Sequence, residues 1–176
     1  MLGIILLGHS NSGKPSICRA VAEKLGMEYI SSGDIARGMS EEIRDILNRG
    51  ELAPENIMRE CIMEKISSVE TDFILDGFPR FLDQYEWLNQ VTGRETEFIY
   101  VHIKVSHEDV INRALFRGRD DDNAIRDKIN WFETHTMPMI NEITRNNTIY
   151  DIENGRYDNI HVSINKLCEI VEEHRC

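Results

Sequence analysis

Leu2 to Leu7 form an unbroken apolar run closed by Gly8. So short a run without polar alternation predicts a strand covered on both faces, as in the interior of a parallel sheet. Shorter apolar stretches follow at Met27 to Ile30, Asp72 to Leu75, Glu97 to Ile103 and Thr148 to Ile152. Between them, helical spacing of apolar residues covers Lys14 to Leu25, Glu41 to Asn48, Pro54 to Ser68, Phe81 to Val91, His107 to Arg117, about Ala124 to Ile143, and Asp158 to Glu173. Ser106 and Asp109 stand at the spacing of a helix N-terminal cap, and Pro54 suits a first helical turn. Strand followed by helix, repeated, implies βαβ crossovers. The expectation is an α/β fold with five parallel strands, helices on both faces and ligands outside the carboxyl ends of the strands.

The chain of 176 residues fits a single domain, 1–176, with no repeat or low-complexity linker to divide it. Its longest apolar run is too short to span a bilayer, and no basic segment precedes it as in a signal peptide; a soluble, cytoplasmic protein without a membrane partner is expected. Twenty Lys and Arg against 31 Asp and Glu give a formal charge of −11, which argues against a sequence-independent nucleic-acid binder. An anion must therefore be held by a local basic cluster. Cys18, Cys61, Cys168 and Cys176 lack metal-ligand spacing and read as buried or incidental thiols. The histidines show no paired ligand spacing either, and His9 reads as a residue that shapes its loop or faces solvent.

Directly after the first strand comes Gly8-His9-Ser10-Asn11-Ser12-Gly13-Lys14-Pro15-Ser16, which matches G-x-x-x-x-G-K. In such a loop successive backbone N–H groups point inward, the helix N-terminus adds positive potential, and the lysine reaches the outer phosphates. Asn11 suits a left-handed backbone position. Pro15 lacks the N–H that its position would otherwise offer to a phosphate, a loss of about 1.5–3 kcal/mol. A second motif closes the third strand: Asp76-Gly77-Phe78-Pro79-Arg80, then Phe81-Leu82-Asp83-Gln84. Five specified residues in a row arise by chance in roughly one chain in ten thousand. Asp76, at a strand's carboxyl end beside the phosphate loop, suits the water shell of Mg²⁺, and Arg80 offers a planar fork to a phosphate.

This second motif resembles the DGFPR-x-x-x-Q signature of the adenylate kinase family, and the resemblance extends from residue 2 to about 173. It implies the P-loop three-layer α/β/α fold, a monomer, and transfer of the γ-phosphoryl group of Mg·ATP to AMP. Ile30-Ser31-Ser32-Gly33-Asp34-Ile35-Ala36-Arg37 resembles the family's ISTGD-x-x-R, and Gly50-Glu51-Leu52-Ala53-Pro54 its G-x-L-V-P. Ser32, Arg37, Leu52, Gly77, Arg80 and Gln84 are thereby implied on the AMP side, where the Gln84 amide would read adenine. Gly8, Asn11, Ser12, Gly13, Lys14, Pro15, Ser16, Arg113, Arg117 and Gly155 are implied on the ATP side. Lys14, Arg80, Arg119 and Lys128 are implied in catalysis, and Asp76 with Ser16 in holding Mg²⁺, partly through water.

Several positions depart from the family pattern. Only Gly118 separates Arg117 from Arg119, so the lid (about 117–122) is reduced to a tight turn, and the acceptor-binding arm (about 31–60) is short. Lys128 stands where the family has a second arginine, and Pro15 and Ile17 replace its Gly and Gln. These departures leave open a different monophosphate acceptor, or nucleotide binding without transfer. A guanine-nucleotide switch is disfavoured, because Asn165-Lys166-Leu167-Cys168 lacks the aspartate that reads guanine.

Overall fold

The computed structural model describes residues 1–48, 53–92, 96–118, 122–155 and 160–175. Five strands, β1 (Leu2–Leu7), β2 (Glu28–Ser31), β3 (Phe73–Asp76), β4 (Glu97–Lys104) and β5 (Ile149–Glu153), form one sheet in the order β2-β3-β1-β4-β5. Every neighbouring pair is parallel. The apolar run at the start of the chain is thus the central strand, buried along its whole length.

Alternation along that strand separates two cores. Ile4 and Leu6 pack with Ile17 and Val21 of α1 (Lys14–Leu25) and with Leu167 and Val171 of α9 (Ile160–Arg175). Ile5 and Leu7 face the other way, onto Met58 and Ile62 of α4 (Glu55–Ser68), Leu88 of α5 (Leu82–Val91) and Ile140 and Ile143 of α8 (Met137–Asn146). Two further helices lie between β2 and α4, namely α2 (Ser32–Gly38) and α3 (Glu41–Asn48). After β4 come α6 (His107–Arg117) and α7 (Asp122–Trp131). The five strands, their parallel sense and the two covered faces agree with the expected architecture, and the strand order completes it.

Some details differ from the sequence expectation. Pro54 caps α4 from outside instead of entering its first turn. The short α2, whose Ser31 hydroxyl accepts from the Asp34 N–H, was hidden by its length. The helix expected over about 124–143 is interrupted by a widened π-type turn at Phe132–Thr136, where the Met137 N–H reaches back to the Phe132 carbonyl. Pro138 explains it. Proline has no N–H and crowds the carbonyl four residues back, so a regular α-turn at that point is disfavoured, and widening the helix relieves the conflict. The Ser106 cap formed as expected, its hydroxyl accepting from the Asp109 N–H at 3.1 Å.

Leu88 is fully buried between α5 and the sheet, whereas Phe116 is 94% exposed. Replacing Leu88 by Ala is expected to cost about 2–5 kcal/mol of stability. Phe116→Ala should stay within about 0.5 kcal/mol, and urea unfolding of both variants measures the contrast.

Candidate active site

The carboxyl ends of β1 and β3 lie side by side, with Leu6 opposite Asp76, so the two motifs meet there. From β1 the chain turns through Gly8, Asn11 and Gly13 at φ of 146°, 63° and 94°. Asn11 is the only non-glycine residue at positive φ among the described residues, as its amide side chain led us to expect. At Gly13 a Cβ would sit 2.6 Å from the Asn154 Nδ2, so glycine is required there for space as well as conformation. Pro15 occupies the first turn of α1, exposed like Ser16 beside it, and the helix begins with Ser16 N and Ile17 N on the Gly13 carbonyl.

Lys14 is buried and folds back on its own loop. Its ammonium donates to the carbonyls of Gly8 (2.7 Å) and His9 (2.8 Å) and lies 3.4 Å from the Ser12 hydroxyl. Burial lowers its pKa, and the Asp76 carboxylate counters that pull. Asp76 itself is buried and accepts from the Tyr29 hydroxyl at 3.1 Å. Arg80 completes this cluster of charge: its Nε donates to the Gly77 carbonyl at 2.7 Å, which fixes the plane of the fork, and burial lowers its pKa against the opposing pull of Asp76.

The signature loop is braced from within. The Gln84 side-chain carbonyl accepts from the Arg80 N–H at 2.8 Å, and the Thr136 hydroxyl donates to the Arg80 carbonyl at 2.8 Å. Gln84 thus already spends one lone pair on its own chain, which the sequence did not reveal. Ser32 lies against this loop, 3% exposed, with a buried hydroxyl that has no hydrogen-bond partner. A polar atom left so in a tight site marks a place for a ligand or water. Arg37 is on the surface, paired with Asp34 at 2.5 Å.

On the other side of the phosphate loop, Arg113 donates to the carbonyls of Ser12 (3.2 Å), Asn154 (2.6 Å) and Gly155 (3.1 Å). Its N–H edge therefore binds backbone. Arg117 donates to the Asn11 side-chain carbonyl at 3.0 Å. Together with Asn11, Gly13, Ser16 and Phe116, these residues line a cleft of about 580 Å³. Lys128 borders a shallow depression with His9, Ser10 and Asn11. Leu52 and Arg119 lie outside the described residues, as do residues 119–121 of the expected lid.

Sequence reasoning missed Asn154, whose buried amide donates to the Ser12 carbonyl at 2.7 Å, and Tyr29. Position alone could have signalled Asn154, which directly follows β5 at the ligand-binding edge. Of the two expectations for His9, one is excluded. It does not face solvent but is buried against Phe132, with ring centroids 3.8 Å apart, and its imidazole is pulled down to about 4 by burial, against the Glu133 carboxylate.

Known proteins resemble this chain along most of its length. Residues 6–148 match the family model for adenylate kinase. The chain is 29% identical over 168 residues to Adenylate kinase 1 of Synechocystis, covering 88% of this chain and 89% of that one. It is 33% identical over 153 residues to an adenylate kinase of Thermus thermophilus, covering 78% and 80% respectively. An adenylate kinase of Corynebacterium glutamicum is 30% identical over 150 residues, covering 78% of this chain and 83% of the relative.

Gly77 tests the tightness of the signature loop. It stands at φ 81°, and an added Cβ would lie 2.4 Å from the Ser32 hydroxyl. Gly77→Ala should destabilise by about 1–3 kcal/mol. Adding Ser32→Ala should recover only the steric part, a difference that urea unfolding of the single and double variants resolves.

Proposed function

The chain belongs to the adenylate kinase family, and on that premise we propose that it transfers the γ-phosphoryl group of Mg·ATP to AMP, yielding two ADP. The observation that carries the reading is the convergence of Lys14, Asp76 and Arg80 where the phosphate loop meets the end of β3. Phosphoryl transfer asks the protein for little covalent work. Position and charge do most of it.

The cleft beside Asn11, Gly13, Ser16, Arg113, Arg117 and Gly155 would take ATP, its phosphates cradled by loop amides between Gly8 and Ser16, of which those of Ser12 and Ser16 would turn from the His9 and Gly13 carbonyls and Pro15 offers none. Lys14 would exchange a backbone carbonyl for a phosphate oxygen, so the cation is in place before substrate arrives. The AMP phosphate would meet Arg80, with Arg37 swinging from Asp34 to join it. Gln84, Gly77, Ser32 and the 50–54 stretch with Leu52 would line the acceptor base. An AMP phosphate oxygen attacks the γ-phosphorus in line, and the bond from that phosphorus to the β–γ bridging oxygen breaks. Arg119 and Lys128 would add positive charge around the transferring group.

Asp76 fits Mg²⁺, since one buried carboxylate at a strand end leaves room for the waters and phosphate oxygens this ion retains, with the Ser16 hydroxyl at the mouth of the loop. When bound, Mg²⁺ neutralises charge on the β- and γ-phosphates. We place the protein in the cytoplasm as a monomer of one domain, with residues 31–60 as acceptor arm and 117–122 as minimal lid. The net charge of −11 speaks against nucleic-acid partners, and among the described residues no helix is long and apolar enough to cross a membrane.

The test is chromatography of products from Mg·ATP with each nucleoside monophosphate. AMP should be converted in preference to CMP, UMP and GMP, and Lys14→Ala should lower kcat by about 10²–10³. Turnover of another monophosphate in its place would reassign the acceptor. ATP binding without any turnover would make the chain a nucleotide-dependent binding module. In a separate titration, Pro15→Gly should bind ATP about ten- to hundredfold more tightly by restoring one amide donor.

A further inference from the structure

Three segments distant in sequence converge beside the phosphate loop. His9 follows Gly8, His107 opens α6, and Glu133 lies in the widened turn ahead of Pro138. The His9 Nε2 is 3.2 Å and the His107 Nε2 2.9 Å from the same Glu133 oxygen. All three potential ligand atoms lie within 4.8 Å of one another. The proposed transfer reaction uses none of them.

We propose that His9, His107 and Glu133 form a binding site for a transition-metal dication of the Zn²⁺ class, separate from the Mg²⁺ position at Asp76. Two imidazole nitrogens and one carboxylate oxygen are the donor set such ions favour, with a position left for water. Mg²⁺ is a poor match for two nitrogens. His9 is buried, its side chain 7% exposed and its ring against that of Phe132 at a 36° tilt, while His107 and Glu133 are 54% and 42% exposed. The two solvent-exposed ligands have room to draw in around the buried one. The metal would replace the shared hydrogen bonds, with each imidazole carrying its remaining proton on Nδ1. Lys14, bonded to the His9 carbonyl, is the nearby cation that opposes it, and the Glu133 carboxylate offsets that repulsion. π-Type turns recur at functional sites, and here the turn carries both Glu133 and the Phe132 ring that holds His9.

Placement gives the site a role. His107 begins α6 and Glu133 follows the end of α7, so both stand at the end of this helical pair away from Gly118, where α6 stops. A bound ion would clamp that end to the phosphate loop.

The experiment titrates ZnCl₂ by calorimetry into the full chain after removal of metal with a chelator. One equivalent should bind, and His107→Ala and Glu133→Gln, both exposed positions whose folding circular dichroism checks, should each weaken binding by at least about tenfold. At one fixed Zn²⁺ concentration above the Kd of the unaltered chain, the rise in Tm should be clearly smaller in each variant than in the unaltered chain. Co²⁺ loading should give visible absorption without the near-ultraviolet band of thiolate ligation, which separates this site from uptake by a cysteine such as Cys61. Absence of saturable binding, undiminished affinity in either variant, or a thiolate band would overturn the proposal. None of these readouts depends on phosphoryl transfer.

Discussion

An ammonium group withdrawn from water must find acceptors, and Lys14 finds them in the loop that precedes it. Those carbonyls turn inward because the chain passes through positive φ at Gly8 and Asn11. The Ser12 carbonyl turns the other way and is taken by Arg113 and Asn154. The loop is thus held from both sides by protein groups. A phosphate entering it would displace contacts instead of creating order, which is the condition for strong electrostatic stabilisation at low reorganisation cost.

The loop after β3 is built on the same plan. Arg80 is held at its Nε by Gly77, at its N–H by Gln84 and at its carbonyl by Thr136. Thr136 ends the widened turn, so the conformation forced by Pro138 reaches the signature loop through one hydroxyl. Gln84 combines a buried bracing bond with the base contact proposed for its amide group. A carbonyl oxygen has two lone pairs and the amide two donors, so the roles are compatible.

Much of this was legible in the sequence, because hydrophobic period reports burial. The strands, the helix of the phosphate loop and the Ser106 cap all obey local rules. The two motifs were legible because their residues are contiguous. What stayed hidden depends on chain segments that meet only in three dimensions: Asn154 against Ser12, Tyr29 on Asp76, and His9 facing His107 across Glu133. Pro138 was visible, yet a proline within a helical pattern does not say whether the helix will end, kink or widen; here Phe132 and Met139 on either side of the turn both pack into one core, so the helix continues past it. Arg37 and Arg113 matched motif positions, while their present partners, a carboxylate and three carbonyls, follow from geometry alone.

The strand order distributes these groups unevenly about β1. Toward β3 and β2 lie Asp76, Gly77, Arg80, Gln84 and Ser32; toward β4 and β5 lie Arg113, Asn154 and Gly155. Among the described residues, the phosphate loop at the end of the central strand is the part that belongs to both halves. Substitutions confined to one edge of the sheet can therefore drift without disturbing the other. If the two halves take acceptor and donor as proposed, a lineage carrying this scaffold could exchange one nucleotide preference while inheriting the opposite half intact, a modularity written into the order of five strands.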